Sequence, residues 1–373
     1  MNQSKTVLFL PFLQMPSGHH QVADSLMTGL KNQLPHLHCK KLEILSYSYG
    51  RTEALVSGIY LNWIRYFPAS YNWLYRGSVY KKAALPGKFR FYELLFLTHM
   101  KKLVEEIQPD CIICTHALPS YMLSQLKTRD QLSIPVINVY TDYFIHRFWG
   151  ISHIDYHFVS SLGMKNLLLQ KGVKEHQIYC TGIPVHQDIQ VIQDWERKQD
   201  KSLLSILVTG GSLGVGAITE LIGRLSPGGK ITYYVLCGKN KALFQSIKNR
   251  NNPFLIPLPY IESRKEMNDL YDMADGILTK PGGVTISECL VKHKPIFIYD
   301  ALPGQEMINL EQLQTLGLIF LLDNWRRMTS PLDEVLLAFY ENNSKWNNHR
   351  SSLSAYHQQL EPLGAAEIIS KLI

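Results

Sequence analysis

Thr279-Lys280-Pro281-Gly282-Gly283-Val284-Thr285-Ile286-Ser287-Glu288 is the stretch on which the reading of this chain turns. A short apolar run, Gly276 to Leu278, precedes it and reads as a strand; Val284 to Val291 reads as a helix. Paired glycines between a strand end and a helix start let backbone N–H groups approach a phosphate closely, at the positive end of the helix dipole. Glu288 falls about one turn into that helix. A carboxylate there repels phosphate, but it can accept two hydrogen bonds from a ribose diol. Gly282, Gly283 and Thr285 for a diphosphate, with Glu288 for a ribose, point to a nucleotide diphosphate ligand.

Working outward, strand-like and helix-like segments alternate along the chain. Strand-like runs are Val7 to Leu10, Leu42 to Leu45, Asp110 to Cys114, Pro135 to Tyr140, Tyr156 to Val159 and Gln177 to Cys180. A second series runs through Leu204 to Val208, Thr232 to Leu236, Phe254 to Ile256, Gly276 to Leu278 and Pro295 to Tyr299. Helical segments such as His20 to Leu34 and Lys88 to Ile107 lie between most of them. Repeated βα units imply parallel sheets covered on both faces by helices. Two series imply an α/β protein of two Rossmann-like, doubly wound domains, 1–185 and 202–345, facing each other across a cleft. The polar segment His186 to Lys201 reads as the linker. Ligands of doubly wound sheets bind beyond the carboxyl ends of the strands.

A chain of 373 residues suits two such domains. It is 46% hydrophobic and 18% charged, as globular proteins are, and no apolar run is long enough to predict a transmembrane helix. No signal peptide is read at the N-terminus. Of six cysteines only Cys111 and Cys114 have CxxC spacing; they fall inside an apolar strand, where packing is the default reading and reduced thiols fit a cytosolic protein. A net charge of +7 favours anionic partners: a nucleotide, a nucleic acid or an anionic membrane surface. Much of that charge sits in an insert, about 47–90, that holds ten aromatics between residues 47 and 80, among them Trp63 and Trp73. Aromatic rings interleaved with Lys and Arg suit the headgroup zone of a bilayer; a core helix pair with a basic face is the plainer alternative. Nucleic acid is not expected.

Other motifs follow in order: Gly18-His19-His20-Gln21-Val22-Ala23, Thr115-His116-Ala117-Leu118-Pro119, Thr141-Asp142-Tyr143-Phe144-Ile145-His146-Arg147-Phe148-Trp149, and Thr181-Gly182-Ile183-Pro184. Beyond them come Gly210-Gly211-Ser212-Leu213-Gly214, Cys237-Gly238-Lys239-Asn240 and Pro303-Gly304-Gln305-Glu306. With the opening stretch, this ordered set resembles the glycosyltransferases of the GT-B fold. More narrowly it resembles family 28: monogalactosyldiacylglycerol synthases, processive diacylglycerol glucosyltransferases and, more distantly, the lipid II-forming N-acetylglucosaminyltransferase. Pro16 stands where the family pattern has a glycine. The resemblance implies transfer of a hexose from a UDP-sugar to a lipid acceptor, diacylglycerol before others, with inversion. It also implies a peripheral association with the cytoplasmic face of the cell membrane, and a last helical segment, 346–373, packing back on the first domain.

Sugar transfer needs a base for the acceptor hydroxyl, positive charge or N–H groups for the leaving diphosphate, and contacts that fix the sugar. No DxD motif occurs, so helix dipoles and backbone donors are expected in place of a metal, and no cofactor is predicted. Two residues are candidate bases. His19 follows the first strand and opens the first helix, where a neutral imidazole can accept a proton. Asp142 follows the strand ending at Tyr140, and would share a face with His146 if that segment were helical; otherwise it reads as a helix cap. Gly211 and Ser212 resemble a second phosphate-contacting turn. The resemblance assigns Gln305 and Glu306 to the sugar hydroxyls; read alone, they are a helix N-terminus with a favourable acid. Transfer to a soluble or isoprenoid-linked acceptor, a UDP-sugar epimerase and a non-catalytic UDP-sugar sensor remain alternatives.

Overall fold

The computed structural model describes residues 5–11, 17–43, 89–191, 203–211 and 217–373. The chain divides into two compact units. One comprises residues up to Gln187 with Pro303–Gln305 and Gln359–Ile373; the other comprises Asp188–Leu302 and Glu306–Gln358. The aromatic insert, apart from its last two residues, most of the linker, Pro16 and Ser212 lie outside the described residues.

In chain order the first unit contains β1 (Thr6–Leu10), α1 (Gly18–Gln33), β2 (His38–Lys41), α2 (Arg90–Ile107), β3 (Cys111–Cys114), α3 (Ala117–Thr128), β4 (Val136–Val139), β5 (Tyr156–Val159), α4 (Leu162–Gln170) and β6 (Ile178–Cys180). These strands form one sheet in the order β2-β1-β3-β4-β5-β6, and every neighbouring pair is parallel. The second unit contains β7 (Leu204–Thr209), α5 (Ile218–Arg224), β8 (Ile231–Leu236), α6 (Lys241–Lys248), β9 (Leu255–Leu258), α7 (Arg264–Met273), β10 (Gly276–Thr279), α8 (Gly283–Val291), β11 (Ile296–Ile298), α9 (Gln305–Thr315), β12 (Phe320–Leu321), α10 (Leu332–Glu341) and α11 (Asn343–Gln358). Its sheet runs β12-β11-β10-β7-β8-β9, again parallel throughout. The closing helix, α12 (Ala365–Leu372), belongs to the first unit. A Cβ on Gly29 of α1 would fall 2.7 Å from Ala366, so the glycine lets α1 and α12 approach closely. The expected α/β class, two doubly wound parallel sheets, is the one found.

The central strands read as continuous apolar runs because both faces are covered. Val7, Leu8, Phe9, Leu10, Ile112, Ile113, Val136 and Ile137 are fully buried, each contributing about 1.5–3 kcal/mol of burial. Cys111 and Cys114 are buried free thiols within β3, filling space in the core. The second strand is a correction. The strand is His38-Cys39-Lys40-Lys41; of the expected Leu42 to Leu45, Leu42 and Glu43 lie past its end and the other two residues lie outside the described residues. Among the described residues it lies at the sheet edge and pairs with β1 alone, so no apolar pattern is demanded of it.

Topology sets the ligand ends. In the first sheet the chain moves from β1 out to β2 and then returns to the other side of β1 with β3. In the second it runs β7, β8, β9 and returns beside β7 with β10. The switch points are therefore β1/β3 and β7/β10, and ligands of such sheets bind outside the carboxyl ends at those points. Among the described residues, no helix is long and apolar enough to cross a membrane.

The segment after β4 is held down on α3 through Gly150. Its carbonyl accepts from Asn138 Nδ2 (2.7 Å), and its N–H donates to Ser120 Oγ (3.1 Å). A Cβ at Gly150 would meet the Ser120 carbonyl at 2.5 Å and Ser124 Cβ at 2.6 Å. Helix backbone cannot yield to it. Gly150→Ala is expected to destabilise the protein by about 1–3 kcal/mol, read as a lowered urea midpoint at unchanged m.

Candidate active site

At the β1/β3 switch point the structure brings together residues distant in sequence. His19 lies in the first turn of α1, and His116 is the N-cap of α3. Their rings meet edge to face, centroids 4.7 Å apart. His19 Nδ1 lies 2.8 Å from the Thr115 carbonyl and 2.9 Å from Thr141 Oγ1. A carbonyl oxygen only accepts, so Nδ1 carries the proton and the Thr141 oxygen shares it as a second acceptor. The lone pair is then on Nε2. The neighbouring histidines are the other way round. His116 Nδ1 accepts from the Leu118 N–H (3.1 Å) and His146 Nδ1 from the Phe148 N–H (3.3 Å), which leaves the proton of each neutral ring on Nε2.

Burial pushes the His19 imidazole down to about 4; the Thr115 carbonyl opposes this and His20 adds to it. Burial, then His19, takes His146 down to about 3, and burial holds His116 well below the usual range. All three rings are neutral near pH 7. Two fixed oxygens hold the His19 ring through Nδ1, and the lone pair is presented by Nε2.

Asp142 is half-buried, and its carbonyl accepts from Ser160 Oγ at 2.9 Å. Residues 141–149 form bends and a turn with no helix. Asp142 is therefore not a helix cap, and it does not share a helical face with His146. The reason is burial: Tyr143, Phe144, Ile145 and His146 are all buried in succession, a pattern no single helix face provides.

The second cluster flanks β7/β10. Gly211 follows β7 with φ +82°, in the left-handed region that favours glycine. Gly282 caps α8 with φ −76° and no side-chain cap, and no acid stands in the first turn. The Gly282 N–H is taken by the Lys280 carbonyl at 2.9 Å. Among the described residues the helix's unused donors are accordingly those of Gly283, Val284 and Thr285, since the first intrahelical bond runs from the Ile286 N–H to the Gly282 carbonyl. Asn309 of α9 steadies the turn by donating to the Pro281 carbonyl (3.2 Å).

Glu288, one turn further, is buried. Its Oε2 accepts from the Tyr271 hydroxyl at 2.8 Å, and Oε1 is 3.6 Å from Arg264 Nη1. Burial raises its carboxyl above the usual range, opposed by the Tyr271 hydrogen bond and the Arg264 charge. Four residues on, buried Lys292 donates at 2.6 Å to both Asn268 and Asp272. Gln305 opens α9, and Glu306 Oε2 accepts from the Leu302 N–H at 2.7 Å, closing the turn before that helix. Among the described residues, no three His, Cys, Asp or Glu side chains converge as a metal site requires.

Two parallel sheets of this order define the fold of the GT-B glycosyltransferases. The crystal structure of Acinetobacter baumannii MurG is similar, with a TM-score of 0.61 over 99% of each chain at 16% identity. The family follows from sequence. Residues 19–185 match the monogalactosyldiacylglycerol (MGDG) synthase model, and 205–361 match the glycosyltransferase family 28 C-terminal domain. A Bacillus subtilis protein described as "Uncharacterized glycosyltransferase YkoN" is 42% identical, covering 99% of this chain and 97% of its own. The processive diacylglycerol beta-glucosyltransferase of Bacillus licheniformis is 28% identical, covering 96% and 92%. The chain belongs to glycosyltransferase family 28 and is a glycosyltransferase.

Sequence reasoning missed Thr141, Asn309, Arg264, Tyr271 and Lys292. The first two act across long separations that only the fold closes. The others carried a signal. Arg264, Asn268, Tyr271 and Asp272 recur at i, i+4, i+7 and i+8, one face of a helix, opposite Glu288 and Lys292 at i and i+4.

Proposed function

We propose that this enzyme transfers a hexose from a UDP-sugar to the hydroxyl of diacylglycerol at an anionic membrane surface, with inversion and without a metal. The observation that carries this reading is the match of the His19-bearing unit to the monogalactosyldiacylglycerol synthase model. The full-length similarity to a processive diacylglycerol glucosyltransferase agrees with it. His19 Nε2 takes the acceptor's proton as the acceptor oxygen bonds to the sugar's anomeric carbon. The bond from that carbon to the diphosphate breaks on the opposite face, and UDP leaves. The N–H groups of Gly283, Val284 and Thr285 and the dipole of α8 receive the charge that develops on the leaving diphosphate. Glu288 accepts the ribose hydroxyls. Gly211, Ser212, Gln305 and Glu306 complete the donor contacts, and Asp142, next in sequence to the Thr141 that holds His19, is the alternative base.

The test is incubation of the purified protein with UDP-glucose or UDP-galactose and diacylglycerol liposomes, with lipids read by mass spectrometry. The expected product is a hexosyl-diacylglycerol of inverted anomeric configuration, formed equally with and without EDTA. Loss of product on chelation would overturn the metal-independent mechanism. UDP release without a lipid product would overturn the acceptor.

A further inference from the structure

The polar seam between α7 and α8 is not accounted for by packing alone. Helix α7 turns one face toward α8, and that face carries Arg264, Asn268, Tyr271 and Asp272. From α8 and the residue that ends it come Glu288 and Lys292. At one end of the seam Lys292, 1% exposed, reaches Asn268 Oδ1 and Asp272 Oδ1, both at 2.6 Å. Asn268 Oδ1 also accepts the Gln190 N–H at 3.0 Å. This end is saturated and locks the two helices in register. At the other end the contacts are fewer. Tyr271 is buried and gives its hydroxyl proton to Glu288 Oε2, while Arg264, about one-third exposed, stands 3.6 Å from Oε1 without a hydrogen bond. An ionised carboxylate offers about four lone-pair positions. Tyr271 fills one of them and leaves Oε1 facing a cation that does not consume its acceptor capacity.

We propose that Tyr271 and Arg264 are positioning residues for the donor: they fix the rotamer of Glu288 and keep it an acceptor, so that the site selects nucleotides bearing a 2′,3′-diol. This rests on the reading of Glu288 as the ribose contact. The chemistry requires such a holder. A diol donates two hydrogen bonds, and only the ionised carboxylate accepts both without presenting a proton of its own. Burial works against that form, and the two α7 groups work for it. The titratable and charged groups facing Glu288 are Tyr271 and Arg264 from α7, with Cys289 beside it on α8.

The experiment is calorimetric titration of the full chain with UDP and with 2′,3′-dideoxy-UDP between pH 5.5 and 8. It uses wild type, Glu288→Ala, Tyr271→Phe, Arg264→Met and Arg264→Lys, each first checked for an unchanged thermal midpoint. Tyr271→Phe keeps the ring and removes one hydrogen bond to a charged group, so UDP affinity at pH 7 is expected to fall about tenfold. Dideoxy-UDP affinity stays within about twofold, the change expected where no hydrogen bond to the ligand is lost. The pH below which UDP binding weakens moves upward in Tyr271→Phe and in Arg264→Met, and Arg264→Lys restores it. If Tyr271→Phe weakens both nucleotides alike, or leaves the UDP preference and its pH dependence unchanged, the positioning role is overturned. If Glu288→Ala retains the full preference for UDP over the dideoxy compound, the underlying reading of Glu288 fails instead, and that result is separable from the first.

Discussion

Replacing His19 with alanine is expected to lower kcat for sugar transfer by about 10²–10⁴-fold, the usual contribution of a positioned general base, while UDP affinity remains that of the wild type. The two readouts separate because His19 belongs to the unit built on β1–β6, whereas the glycine turns and Glu288 belong to the other. Single-turnover transfer from UDP-glucose or UDP-galactose to diacylglycerol liposomes, paired with UDP titration, measures both. The pH dependence has a definite sign. A free imidazole titrates near 6.5, but burial takes His19 down to about 4. The base is therefore already deprotonated at pH 5.5, and kcat/KM should show no His19 limb between pH 5.5 and 7. Stability moves the other way. Between about 6.5 and about 4 the unfolded chain binds a proton at His19 that the folded chain does not. Stability supplied by the neutral ring is therefore present above 6.5 and lost as pH falls through that window. His146 and His157, each taken down to about 3 by burial, add to this acid lability. Rates below pH 5 must be read against unfolding. Thr141→Val is the informative companion: if His19 is the base, loss of the shared hydroxyl loosens the ring and lowers kcat by less than His19→Ala does. A His19→Ala enzyme with wild-type kcat would remove His19 from the chemistry and leave Asp142 as the base.

What was legible in the sequence follows the physics of burial. Strands covered on both faces, such as β1, β3 and β4, are written as unbroken apolar runs, and their positions were read closely. The edge strand β2 was misread because an edge with half-exposed side chains needs no apolar signature. The glycine turn before α8 was legible because strand, glycines and helix are contiguous. The His19 arrangement was legible only as a list of candidates. Thr115 is 96 residues from His19 and Thr141 is 122 residues away, and only the return of the chain to the far side of β1 brings them onto one nitrogen. The tautomer, and with it the identity of the free nitrogen, depends wholly on that closure. Segment 141–149 misled in a different way. A spacing of four between Asp142 and His146 means a shared face only in a helix, and continuous burial from Tyr143 to His146 removes the exposed face an amphipathic helix would need.

The second large effect is expected at Gly282, and its logic is the reverse of most glycine substitutions. Gly211 has φ +82°, so a side chain there strains the backbone itself. Gly282 has an ordinary φ of −76°, and a Cβ built on it meets nothing within 4 Å among the described residues. The fold does not need a glycine at 282. As the N-cap of α8 it is a modest capping residue, and an alanine there costs a few tenths to about 1 kcal/mol in capping. Restricting the unfolded chain returns about 0.4–1 kcal/mol. The two terms nearly cancel, so Gly282→Ala should leave the thermal midpoint within about 2 °C of wild type. A ligand is another matter. The Gly282 N–H is already committed to the Lys280 carbonyl, so in the proposed donor site this residue would serve a diphosphate by lacking a side chain rather than by donating to it. With the diphosphate placed over this turn as proposed, a Cβ would stand between the phosphate oxygens and the donors of Gly283, Val284 and Thr285. Gly282→Ala is expected to weaken UDP by about tenfold and Gly282→Val by more, as charge-assisted hydrogen bonds are lengthened or lost. Uridine, which has the ribose but no phosphate, should bind both variants as it binds wild type, since its proposed contact is Glu288 further along α8. Equal loss of UDP and uridine would mean that the substitution had shifted α8 as a whole. Unchanged UDP affinity would show that the diphosphate does not lie over this turn, and the leaving group would then have to be held elsewhere.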